Sequence, residues 1–148
     1  MKKVKPFLKY IVGVSLLWPL AVAGQSDFNV ARIKPELVQD ADAVVRVDEV
    51  FWDIKSQAEA VRKTRLVVTI FNETGEEHYG NVSVGYDKFN KVIDLSGALY
   101  DENGKLVKRL RTVDIEDYGN GINGGDISDG RVKRASFGKK SYRYPYTI

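Results

Sequence analysis

Short runs in which apolar and polar residues alternate fill most of the chain, the two-residue period of strands with one covered face. Residues 61–72 (VRKTRLVVTIFN) are the clearest case: Leu66, Val68 and Ile70 alternate with Arg65, Val67 and Thr69. Both faces turn apolar near the end of this run, which predicts a central strand. Residues 44–55 (VVRVDEVFWDIK) precede it, but their parity slips: Val45 and Val47 share one face, and Val50, Trp52 and Ile54 the other. A bulge near Asp48-Glu49 reconciles the two halves. Residues 78–86 (HYGNVSVGY), 131–137 (RVKRASF) and 142–148 (YRYPYTI) are further strands, and Glu73-Thr74-Gly75-Glu76 is a turn.

The strongest local signal lies in residues 92–118. Val92 to Tyr100 is a strand, Asp101-Glu102-Asn103-Gly104 a tight turn, and Leu106, Val107 and Leu110 begin the returning strand. A three-residue Glu102-Asn103-Gly104 loop, with Gly104 in the left-handed region, sets Asp101 opposite Lys105 and Leu99 opposite Val107. That register matches polarity across the pair. Asp114-Ile115-Glu116-Asp117 then forms a single helical or 3₁₀ turn, followed by a glycine-rich surface loop over residues 119–130. Pro35 opens one short helical turn through Glu36, Leu37 and Val38. No long helix follows residue 40. The whole is an all-β chain, an antiparallel two-sheet sandwich of about six to eight short strands.

Charge changes the picture at the N-terminus. The chain of 148 residues has a net charge of +3, yet Lys2, Lys3, Lys5 and Lys9 lie in the first 24 residues with no acid. Beyond them 19 basic residues face 20 acidic ones, so nucleic acid exerts no general pull. These lysines, the apolar run Tyr10 to Leu20 and Ala21-Val22-Ala23 form a secretory signal peptide over residues 1–24, cut after Ala23 or Gly24. The apolar run is too short to span a bilayer, so the cleaved protein has no stable membrane insertion. The expectation is export to the periplasm or beyond, with a polar lead-in at 25–40 and one domain at 41–148.

The chemistry offered is thin. There is no Cys and a single His, His78, which rules out thiolate catalysis and a His-paired zinc site. Asp114, Glu116, Asp117, Asp126 and Asp129 resemble a loose calcium ligand set, but without a calcium-loop spacing. Asp48, Glu49 and Asp53 are candidates for a carboxylate hydrolase pair, and His78 for a lone base; surface strands carry such residues without function. The basic residues between Arg131 and Arg143 alternate like a solvated strand face. The expectation is no catalytic, cofactor or metal residue. Tyr142, Tyr144 and Tyr146 form a period-two stripe able to stack on a sugar or grip a peptide, or else to cover the core. The chain ends at Tyr146-Thr147-Ile148, within what reads as an edge strand; a strand that simply stops and a longer design cut short both remain open.

Several segments together carry a resemblance. They are Asp42 to Arg46, Arg65 to Gly75, Tyr86-Asp87-Lys88, Lys91 to Lys105, Asp114 to Asp117 and Arg131-Val132-Lys133. In order and spacing the chain resembles the uncharacterised β-sandwich domain at the N-terminus of exported bacterial transglutaminase-like proteins. The resemblance covers residues 40–148. It implies a domain that precedes a papain-like transglutaminase module, whose Cys-His-Asp arrangement this chain lacks, so no catalytic residue carries over. The protein so implied is a non-catalytic exported module with a protein or glycan ligand, or a transglutaminase-like domain, as partner. The alternatives are a gene fragment without independent function and, last, a carboxylate hydrolase.

Overall fold

Two long strands, β1 (Ala43–Ile54) and β2 (Ala60–Ile70), pair antiparallel over their full length and form the spine of the molecule. The computed structural model describes residues 28–119, 129–138 and 143–148; the signal sequence and Tyr142 lie outside them. After β2 come helix α2 (Glu73–Tyr79), β3 (Asn81–Tyr86), β4 (Ala98–Tyr100) and β5 (Leu106–Arg109). A 3₁₀ turn at Thr112–Asp114, β6 (Ile115–Gly119), β7 (Arg131–Ser136) and β8 (Tyr146–Thr147) complete the described chain. Helix α1 (Pro35–Val38) is the short turn that Pro35 opens. One sheet has the order β1-β2-β8-β4-β5 and the other β3-β7-β6, so the fold is an all-β two-sheet sandwich.

The core forms where the central strands meet. Val68, Ile70, Leu99 and Tyr146 are buried together, with Ala43, Phe137 and Ile148 packed on them. The opposite face of the same sheet is also covered, since Val67, Thr69 and Thr147 are buried too. Phe28 of the lead-in lies on Tyr100 of that face, with ring centroids 4.4 Å apart. The lead-in crosses the β4–β5 turn so closely that a Cβ on Gly104 would stand 2.7 Å from the Asn29 nitrogen. Gly104 also has φ +79°, the left-handed value expected of it.

Thr69 and Thr147, directly opposite on β2 and β8, are both fully buried and share a 2.8 Å hydroxyl hydrogen bond. Thr147→Val is expected to cost about 1–3 kcal/mol, because the Thr69 hydroxyl then loses its partner without regaining water. Thr69→Val with Thr147→Val should recover most of that loss in urea unfolding. A double variant as unstable as the single one would show that the pair contributes through packing instead.

Several expectations are corrected. β8 is not an edge strand: it sits between β2 and β4, and the Ile148 N–H and C=O both bond to Val68, at 2.9 and 2.8 Å. The β1 bulge falls at Arg46, between Val45 and Val47, just before the expected place. Residues 73–79 are helix rather than turn and strand: the Asn72 carboxamide oxygen caps the Gly75 N–H at 3.0 Å, and Glu73 and Glu76 favour the helix start. Of the strand expected over residues 92–100, only Ala98–Tyr100 is strand, and residues 92–97 are not. Asp87 binds the Phe89 and Asn90 amides at 2.7 Å each, a local turn that competes with pairing. The β4–β5 turn does place Asp101 against Lys105, whose C=O accepts from the Asp101 N–H at 2.9 Å, but Leu99 then faces Lys108 because Val107 is bulged out.

Candidate functional site

The tyrosine stripe is not an open platform. Tyr142 lies outside the described residues, and Tyr146 is 4% exposed in the core, where its strand is held from both sides. Tyr144 stacks on it at 5.6 Å, half exposed, and donates its hydroxyl to the Glu76 carboxylate. That hydrogen bond, with desolvation adding to it, pushes the Tyr144 pKa up to about 12. Beside the Tyr146 ring is an open groove of about 410 Å³. Glu73, Glu76 and Glu77 of α2 form one wall, Arg134 of β7 the other, and Tyr146 and Phe137 line its apolar part. Sequence periodicity grouped the tyrosines; it could not say which face of the strand would be covered.

A second surface stands on the β1–β2 hairpin. By register, Asp48, Val50, Trp52 and Ile54 share a face with Leu66, Thr64, Arg62 and Ala60, and this face runs on from Val68 and Ile70 of the core. The hairpin outruns the material that covers it. Val50, Trp52, Ile54 and Leu66 are exposed, Ile54 by 76%. The Arg62 guanidinium lies 5.9 Å from the Trp52 ring centre. Phe51, on the other face, is 62% exposed. The two-residue period had already grouped Val50, Trp52 and Ile54 on one face; it could not say whether that face would be covered.

The acids suggested as calcium ligands are drawn apart. Asp114, its side chain 11% exposed, accepts from Lys108 Nζ at 2.9 Å and from Arg111 Nε at 3.1 Å. Asp117 accepts from the Tyr86 hydroxyl at 2.8 Å and from Arg131 at 2.9 Å. Glu116 alternates to the other face of β6, and Asp126 lies outside the described residues. Among the described residues no cluster of three acids or histidines could hold a metal ion. Asp48 faces Leu66, Glu49 pairs with Arg65 at 3.6 Å, and Asp53 with Lys55 at 2.5 Å, so these carboxylates are spread over both faces of the hairpin. His78 is exposed on α2.

The Asp114 tie has a pH consequence. Hydrogen bonds from Arg111 and then Lys108 hold its pKa well below the usual carboxylate range. A folded-state pKa below the unfolded one gives stability that is present above about pH 4 and lost as the pH falls through the folded value. The same sign applies to Asp117, held down by Tyr86 and Arg131 against desolvation, and to Asp87, held down by the Asn90 and Phe89 amides. The melting temperature is therefore expected to be flat near neutrality and to fall below about pH 4, and Asp114→Asn should make that fall shallower. An acid limb of unchanged slope in the variant would remove Asp114 from the account.

The architecture defines an all-β sandwich domain with a protruding hairpin. Residues 56–148, more than half of the chain, match the model of the family described as a domain of unknown function with a solved structure (DUF3857). The chain belongs to that family. No curated protein and no solved structure gives a significant match.

Proposed function

We propose that the domain is an exported, non-catalytic interaction module, whose partner is a protein in the setting that its resemblance implies, among transglutaminase-like proteins. The observation that carries this reading is the uncovered apolar face of the hairpin, Val50, Trp52, Ile54 and Leu66, continuous with the core. Contiguous exposed apolar surface of this kind marks association sites. Branched aliphatic side chains beside a tryptophan whose ring already carries Arg62 favour a protein over a glycan, which needs a free aromatic face. Export is supported by the lysine-rich start, the apolar run and the small residues at 21–23. A non-catalytic role is supported by the engagement of Asp114 and Asp117 with cations and by the spread of the hairpin acids.

A photo-crosslinking residue placed at Ile54 tests this in cells, with Glu116 on the three-stranded sheet as control. A discrete adduct from position 54 alone supports the module. Equal or absent labelling at the two positions sinks it. Mass spectrometry of the same protein reads export directly, as a mature N-terminus at Gly24 or Gln25.

A further inference from the structure

We propose that residues 28–39 form a strap that two copies of the chain exchange, each strap leaving its own β4–β5 turn for the same place on the other copy. This goes beyond the interaction-module reading and does not depend on it. The strap is held at its far end. Phe28 lies on Tyr100, the Val30 N–H donates to the Glu102 C=O at 2.9 Å, and Ile33 is buried. The near end, which leads into β1, has no such hold. None of residues 34–40 is buried, α1 included. Within it Asp40 has φ +57°, the left-handed region that a residue with a Cβ adopts at a cost. A strap anchored at one end is thus turned back on its own domain through a strained, exposed hinge.

The occupant that fits the far-end site is the strap's own sequence. Gly104 lets the backbone at Asn29 approach so closely that a Cβ would stand 2.7 Å from its nitrogen, and Tyr100 takes the aromatic ring just before it. A second copy offers an identical site, so exchange keeps every far-end contact. What changes is the hinge. In the closed chain Asp40 must hold a positive φ to turn the strap back; in the exchanged pair it relaxes to an extended value. Release of that strain favours exchange, and the lost independent motion of two copies opposes it. Protein concentration sets the balance. Exchange of an identical element in this way is a low-cost route to a dimer.

The test mixes isotopically heavy and light copies of the full mature chain, each with a benzoylphenylalanine at position 28, before irradiation and digestion. Heavy–light peptide pairs joining position 28 to residues 98–105 are expected, in a yield that rises with concentration. Asp40→Pro suits the extended Gln39 before it but fixes φ at about −65°, which forbids the closed hinge. It should lower the concentration needed for exchange by about tenfold or more. Asp40→Gly, which accepts a positive φ freely, should raise it several-fold. The proposal is overturned if position 28 links only heavy to heavy and light to light at every concentration. A heavy–light yield that is the same whatever residue stands at 40 overturns it too. Should Asp40→Pro fail to fold, the original chain against Asp40→Gly decides by the same criterion. A dimer crosslinked from Ile54 with no heavy–light link from position 28 removes strap exchange and leaves the interaction module standing.

Discussion

Replacing Ile70 with alanine is expected to remove about 2–5 kcal/mol of unfolding free energy, much of the ~5–15 kcal/mol typical of a domain this size. Ile70 is fully buried at the point where β2, β8 and β4 meet, against Val68, Leu99 and Tyr146. Truncation loses both the transfer energy of the side chain and the contacts lining the void. Collapse around the void is limited, because both flanking strands hold the β2 backbone at this level. Ile54→Ala on the same face, at a position 76% exposed, should change stability by no more than about 0.5 kcal/mol. Chemical unfolding of the two variants decides the matter. Similar losses at both positions would mean that the hairpin face is covered in the free domain, and the interaction reading would lose its support along with this description of the core.

That contrast marks where sequence reading succeeded and stopped. Leu66, Val68 and Ile70 announced a strand and its inner face by period alone, and both-sided burial was visible in Val67 and Thr69 between them. The pattern carries no information on how far the covering sheet extends, so Leu66 and Ile70 look equivalent in sequence and differ from exposed to fully buried in the structure. The place of β8 was hidden for a similar reason. Thr69 and Thr147 are 78 residues apart, and no local signal orders strands across such a distance. In the β4–β5 hairpin, the turn was legible in Asp101 to Gly104, since its chemistry is local. The register beyond it was not, because Lys108 must lie beside Leu99, pass over Phe137 and reach Asp114 and the Phe137 carbonyl. A tertiary ion pair there overrides the polarity match across the strands. Likewise the spacing of the tyrosines could not show that Tyr146 turns inward on β8 while Tyr144, stacked on it, lies before that strand.

Helix α2 was missed because nothing in ETGEEHY repeats at helical spacing, and Gly75 in its first turn argues against a helix. That glycine yields the second large effect. In an open helix Gly→Ala would stabilise by up to ~1 kcal/mol. At Gly75 the sign should reverse. A Cβ there would lie 2.1 Å from the Asp42 carbonyl oxygen and 2.8 Å from its carbon, both backbone atoms. The same Asp42 oxygen accepts from the Phe71 N–H at 2.9 Å, and the Asp42 carboxylate accepts from Asn72 Nδ2 at 2.7 Å. Asn72 in turn caps α2 through the Gly75 amide. The strand entry at Asp42 cannot retreat without breaking these bonds, so Gly75→Ala is expected to cost about 1–3 kcal/mol or more in place of the usual gain. Thermal unfolding of Gly75→Ala beside Thr74→Ala, an exposed position on the same helix, reads the difference. A neutral or stabilised Gly75→Ala would show that α2 stands clear of β1, and the anchoring of the helix that walls the acidic groove would have to be described anew.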